Sequence, residues 1–163
     1  MAYTPLFSEI LQKVGKLKTK KQKIDFLRQN NTPALRMVVK SSFDPNIVWI
    51  LPEGSVPFKP NGAPEGTEHT VLASEARKLY NFVEGGNGAL TKNKREMMFV
   101  QMLEGLHKDE ADIIVAAKDK SLHKVYKGLS AAVVKEAFNW DDNFMIKDNA
   151  SPKYEQYAQR ANV

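Results

Sequence analysis

The chain has 163 residues, 42% of them hydrophobic and 26% charged, with a formal net charge of +5. That is enough for one domain with a real core, and too apolar for a disordered chain. Without a single cysteine, disulfide scaffolds, thiolate metal sites and cysteine nucleophiles are excluded, and a reducing compartment is expected.

Thr4-Pro5 announces a first helix, a capping residue followed by proline at the first helical position, and Leu6, Ile10, Leu11 and Val14 recur at helical spacing. Gly15 and Lys16-Leu17-Lys18 end it. Thr19 caps a second helix running to Asn30 with Ile24, Phe26 and Leu27 as its apolar set. Thr32-Pro33 repeats the cap-and-proline signal and opens a third helix, carrying Leu35, Val38 and Val39, which Asp44-Pro45 breaks. Ile47 to Leu51 is a short apolar run around Trp49, either a strand or a buried helical turn, which periodicity does not separate.

Pro52, Pro57, Pro60 and Pro64, with Gly54, Gly62 and Gly66, then exclude regular structure over 52–67. A loop of this length is either functional or packed along the surface. Helix is expected again from Thr67 to Val83, with Val71, Leu72, Ala76, Leu79, Tyr80 and Val83 on its apolar side. Glu84 to Gly88 is a glycine-rich break. Thr91 caps the next helix, where Met97, Met98 and Met102 read as a core stripe followed by Leu103 and Leu106. Asp109 to Lys118 forms another helix, with Ile113, Ile114 and Val115. Past a connector, Ser130 caps the last core helix, with Val133, Val134, Ala137 and Phe138. Trp49 and Trp140 read as core or lid residues. The chain is thus expected to be all-α, one compact multi-helix domain over 1–140. A polar tail follows over 141–163, in which Ser151-Pro152 can open a short helix at 152–161.

Catalytic patterns are missing. The three histidines, His69, His107 and His123, lie in different elements, and none has a ligand partner at metal spacing. Glu68-His69 is a poor acid/base pair, because neighbouring helical residues point apart. There is no Gly-x-Ser-x-Gly elbow, and Gly85-Gly86-Asn87-Gly88-Ala89-Leu90-Thr91-Lys92 lacks the residue order of a phosphate-binding loop. The expectation is a non-enzymatic protein without cofactor or metal. No run approaches the ~18 apolar residues that cross a bilayer. Met1-Ala2-Tyr3-Thr4-Pro5 has no charged segment leading into an apolar one, so a cytoplasmic location is expected, in a cell or an infected host.

The charge pattern points to a polyanion. Between Lys13 and Lys40 there are nine cations and a single acid, Asp25. A solvated helix face usually interleaves both signs, whereas segregated charge builds a potential that attracts phosphate. Lys16, Lys18, Lys20, Lys21 and Lys23 are the core of this first cluster. A second is the glycine string, where Gly86 and Asn87 precede a helix start at Thr91 followed by Lys92, Lys94 and Arg95. Cations in a first helical turn are unfavourable, and an anion on the free amides would relieve the conflict. An ordinary capped loop with solvated lysines explains the string equally well. The third cluster is the connector Lys118, Lys120, Lys124 and Lys127, beside Tyr126.

Leu6-Phe7-Ser8-Glu9-Ile10-Leu11, Lys18-Thr19-Lys20-Lys21-Gln22-Lys23-Ile24 and Phe26-Leu27-Arg28-Gln29-Asn30 resemble the opening of phage-type ATP-dependent DNA ligases. So do the helix at 35–43, the extended piece at 47–51, and Gly86-Asn87 with Leu90-Thr91 ahead of two helices, a basic connector and a closing helix near Phe138. The likeness spans roughly residues 5–140. In that family the region is an all-helical domain that holds duplex DNA by its backbone. The chain also resembles small uncharacterised proteins of large tailed phages, including those of cyanobacteria. The ligase nucleophile motif Lys-x-Asp-Gly is missing, since Lys147-Asp148-Asn149 does not match it, and no adenylation domain follows within these residues. The proline-rich loop departs from the ligase pattern as well. The resemblance therefore implies duplex DNA binding without ligation through the three clusters. A protein-interaction factor, engaging a phage or host protein through the proline-rich loop and the tail, is the alternative.

Overall fold

The computed structural model describes residues 5–59 and 70–147, and among these it is all-helical. Its α-helices are α1 (Phe7–Lys16), α2 (Lys20–Gln29), α3 (Pro33–Phe43), α4 (Leu72–Glu75), α5 (Lys92–Gly105), α6 (Lys108–Lys118), α7 (Leu122–Val125) and α8 (Ala131–Ala137). A 3-10 helix, Ala76–Phe82, continues α4. The expected caps hold four of these helices. Thr19, Thr32, Thr91 and Ser130 each accept the amide three residues on with their side-chain oxygens.

α1 is capped differently. It starts at Phe7, with Leu6 as its N-cap, and Thr4 lies outside the described residues. The Glu9 carboxylate accepts the Leu6 amide at 3.2 Å, and Glu110, far along the sequence in α6, accepts the Phe7 amide at 3.0 Å. The other oxygen of Glu110 accepts the Leu72 amide at 3.0 Å, so one carboxylate, 1% exposed, caps both α1 and α4.

Packing follows from the apolar faces. α2 lies against α8, and α6 lies at the centre against α3, α5, α1 and α7. Leu11, Leu27, Leu35, Val38, Leu103, Ile113, Ile114 and Val134 are fully buried in one continuous core. Trp49 sits in it, donating its indole N–H to the Ser41 carbonyl at 2.9 Å. The ambiguous run around Trp49 is extended: Ile50 N–H bonds Phe82 O, and Glu84 N–H bonds Val48 O, across an isolated antiparallel bridge.

The helix expected over 67–83 takes a different form. Residues 67–69 lie outside the described part, α4 begins at Leu72, and the following turns are 3-10. Ala76, Leu79 and Phe82 are buried at a spacing of three, the repeat that eclipses side chains on a 3-10 helix, and Tyr80 points to solvent. In the expected methionine stripe only Met102 is buried; Met98 is half-buried and Met97 is 61% exposed.

Two helix ends turn through left-handed residues. After α6, Lys120 (φ 56°) and Ser121 donate to the carbonyls of Ala117 and Ala116, and after α8, Asn139 (φ 58°) and Trp140 donate to Glu136 and Lys135. The second turn brings the start of the polar segment back onto the helices. Trp140 pairs with Ile146 in an antiparallel bridge, and Phe144 is buried against Trp140, so residues 141–147 belong to the fold. The expected helix at 152–161 lies outside the described residues. Of the proline-rich loop, 52–59 packs on the helices: Val56 and Phe58 meet the core, and the Lys59 amide donates to Glu104.

Candidate nucleic-acid interface

The α1–α2 connector is a tight turn. Lys18 and Thr19 both donate their amides to the Gln22 side chain, and Leu17 is half-buried beneath it. This leaves Lys16, Lys18, Lys20 and Lys21 exposed and Lys23 half-buried. Lys20 reaches Glu136 of α8 at 3.3 Å, an exposed pair whose contribution is small. Other cations of the 13–40 stretch are engaged. Lys13 lies over the Phe26 ring, and Arg28 donates to the carbonyls of Glu136 and Ala137 at the end of α8.

The connector between α7 and α8 meets this turn. A Cβ on Gly128 would lie 2.7 Å from Gly15 Cα and 3.0 Å from Val14 O, so the two backbones touch where only glycine fits. Lys16 and Lys127, 111 positions apart in the sequence, line one cleft of about 460 Å³ around that contact, with Leu11, Gln12, Val125 and Tyr126. Lys124 and Lys127 are both exposed. The cleft also holds Asp109 and Asp112 of α6. Asp112 pairs with Lys108 at 2.8 Å, a hydrogen bond that raises the lysine pKa. His107 caps α6 by accepting the Asp109 amide on Nδ1.

Two members of the expected set turn inward, Lys118 buried and Lys120 half-buried. Lys118 is 4% exposed, and its ammonium donates to Pro52 O at 2.6 Å, Gly54 O at 3.2 Å and the Asp119 carboxylate at 2.6 Å. Lys120 donates to Ser41 O and Asp44 O at the end of α3. Burial lowers the Lys120 pKa, with the Asp44 charge opposing. The ammonium groups of both lysines are thus engaged by backbone carbonyls.

The glycine string also has internal reasons for its sequence. A Cβ on Gly86 would lie 1.8 Å from the Tyr80 carbonyl oxygen, so glycine is required there for packing alone. Asn87 donates to Asn81 Oδ1 at 2.9 Å and accepts the Ala89 amide at 3.1 Å. Arg95 donates to Asn81 O and Leu90 O. Thr91, Lys92 and Lys94 are exposed at the start of α5. That helix packs on the 3-10 helix and α6 and contributes no residue to the Lys16–Lys127 cleft.

Tyr126, at the base of the cleft, is 9% exposed, and burial, reinforced by Asp109, Asp112 and Glu110, pushes its phenol up to about 12. The folded state thus favours the neutral phenol. The stabilisation is complete below the ordinary tyrosine value near 10 and is lost as pH climbs from there to about 12. An absorbance titration should show a late tyrosine step near 12, together with alkaline destabilisation on the order of 2 kcal/mol. In Tyr126→Phe the late step should vanish; its persistence would assign it elsewhere.

The fold and site define an all-helical domain with a cleft lined by Lys16, Lys127, Asp109 and Asp112, and no described helix is long and apolar enough to cross a membrane. The chain belongs to a family of unknown function, DUF6433, which matches residues 10–124. No curated protein and no solved structure matches it. The likeness to DNA ligases therefore stands on the sequence alone.

Proposed function

We propose that this protein binds duplex DNA through its phosphates, without sequence preference and without catalysis, as an accessory protein of a large tailed phage. The phage origin rests on the sequence resemblance alone. The single observation that carries the binding reading is the Gly15–Gly128 contact, which joins two lysine-bearing connectors distant in sequence around one cleft. Lys16, Lys18, Lys21, Lys124 and Lys127 are the phosphate ligands in this reading. Phosphate contacts of this kind fix position on a duplex and carry no sequence information. Gly86, Asn87 and Arg95 drop out of the ligand set, because their roles inside the loop account for them.

A second reading has an observation of its own. Asp109 and Asp112 share the cleft with Lys16 and Lys127, and Val125 beside them is 53% exposed. Mixed charge around an apolar residue suits a protein partner, and the carboxylates oppose a phosphate.

The two are separated by fluorescence anisotropy on a labelled duplex at low salt. Lys16→Ala with Lys127→Ala should weaken binding to duplexes of unrelated sequence by the same factor, while Lys92→Ala with Lys94→Ala should weaken it less. If the parent protein leaves the duplex free at low salt, the DNA reading is wrong and the protein-partner reading takes its place.

A further inference from the structure

The glycine string ahead of α5 carries chemistry of its own, independent of the DNA reading. Asn87 is followed by Gly88, which is exposed, has no side chain shielding its amide nitrogen, and has no atom within 4 Å of where a Cβ would stand. The Asn87 side chain is folded over its own backbone. Its Oδ1 accepts the Ala89 amide at 3.1 Å, which holds the Cγ carbonyl beside the intervening nitrogen of Gly88. That hydrogen bond also polarises the carbonyl and stabilises the oxyanion formed when a nucleophile adds to it.

We propose that Asn87 is a site of spontaneous self-modification in the folded protein, converted to aspartate and isoaspartate through attack by Gly88. The Gly88 nitrogen bonds to Cγ of Asn87 and gives up its proton to water. The bond between Cγ and Nδ2 of Asn87 then breaks, and the amino group takes a proton and leaves as ammonia, closing a succinimide. Water opens the ring at either carbonyl, giving aspartate or isoaspartate. No oxidant or reductant takes part.

The conversion unlatches the loop. In the intact protein the Asn87 amide donates to Asn81 Oδ1 at 2.9 Å. A carboxylate in its place sets oxygen against oxygen. Asn81 is 6% exposed and cannot turn its amide to compensate, because its own nitrogen donates to Lys78 O at 2.9 Å. The backbone carbonyl of the same Asn81 accepts from Nε of Arg95 at 3.1 Å, so a shift of Asn81 passes to the first turns of α5. The same step adds a negative charge to the loop that leads into Lys92 and Lys94.

The experiment is to hold the folded full-length protein in mildly alkaline buffer beside a synthetic peptide of residues 84–92. Peptide mass mapping and labelling by an isoaspartyl methyltransferase then follow residue 87 in both. Asn87 should convert in the folded protein at least as fast as in the peptide. Gly88→Ala should slow the folded-state conversion several-fold, since the methyl shields the attacking nitrogen while fitting the open space at that position. Asn87→Asp should lower the melting temperature. An Asn87 that stays intact in the folded protein after the peptide has converted overturns the proposal. An Asn87→Asp variant that melts with the parent overturns the unlatching.

Discussion

Replacing Glu110 by alanine is expected to lower stability by about 4 kcal/mol, because it strips the acceptor from two buried helix starts at once. The Phe7 and Leu72 amides each donate to one oxygen of this carboxylate, and neither helix has a side-chain cap of its own at that position. Each buried donor left unsatisfied costs about 1–3 kcal/mol, and the favourable placement of a negative charge at two helix N-termini is lost as well. For a protein of this size the melting temperature should fall by about 10 °C. Glu110→Gln keeps one acceptor and should recover part of the loss. Urea unfolding of the three proteins gives the comparison, and a change below about 1 kcal/mol in the alanine variant would contradict the double cap.

Lys118→Met should cost about 3 kcal/mol, by removing one side of a buried charge pair and leaving its partners unpaired. The ammonium joins three groups, Pro52 O, Gly54 O and Asp119, and Asp119 in turn accepts the Gly54 amide. Methionine fills much of the volume and makes none of these bonds. Adding Asp119→Asn should restore part of the stability, because the orphaned charge goes with it. Duplex binding by the folded Lys118→Met variant should match the parent. Loss of binding at unchanged stability would put Lys118 back in the interface.

Much of the fold was legible because it rests on local chemistry. Thr19, Thr32, Thr91 and Ser130 are caps in the sequence and caps in the structure, since the oxygen that identifies them is the one that bonds. What stayed hidden is set by distant partners. Nothing near Phe7 or Leu72 in sequence announces that Glu110 caps both. Lys118 and Lys120 read as part of a basic connector, yet α6 ends in a left-handed turn that sends Lys120 to the carbonyls of Ser41 and Asp44. A lysine where glycine is usual was a signal in principle, because such a residue needs compensation. The polar character of 141–147 masked Phe144, a lone aromatic that packs back because Asn139 turns the backbone.

The candidate site divides along the same line. Exposed lysines were found by composition, but not which of them share a surface. Gly15 reads as the end of the first helix and nothing in the sequence ties it to Gly128, and only their contact brings Lys16 to Lys127.

The central claim is that duplex DNA is held by phosphate contacts from these two connectors. Its most direct measurement is the affinity for a fluorescent duplex at several salt concentrations, for the parent and for Lys16→Ala/Lys21→Ala/Lys127→Ala. Each neutralised phosphate contributes about 0.9 to the logarithmic slope, so the parent affinity should fall steeply with salt, and the triple variant's slope should be shallower by up to about three. The variant should keep its melting temperature, since all three side chains are exposed. An identical slope in parent and variant, or no binding by the parent at low salt, would contradict the account.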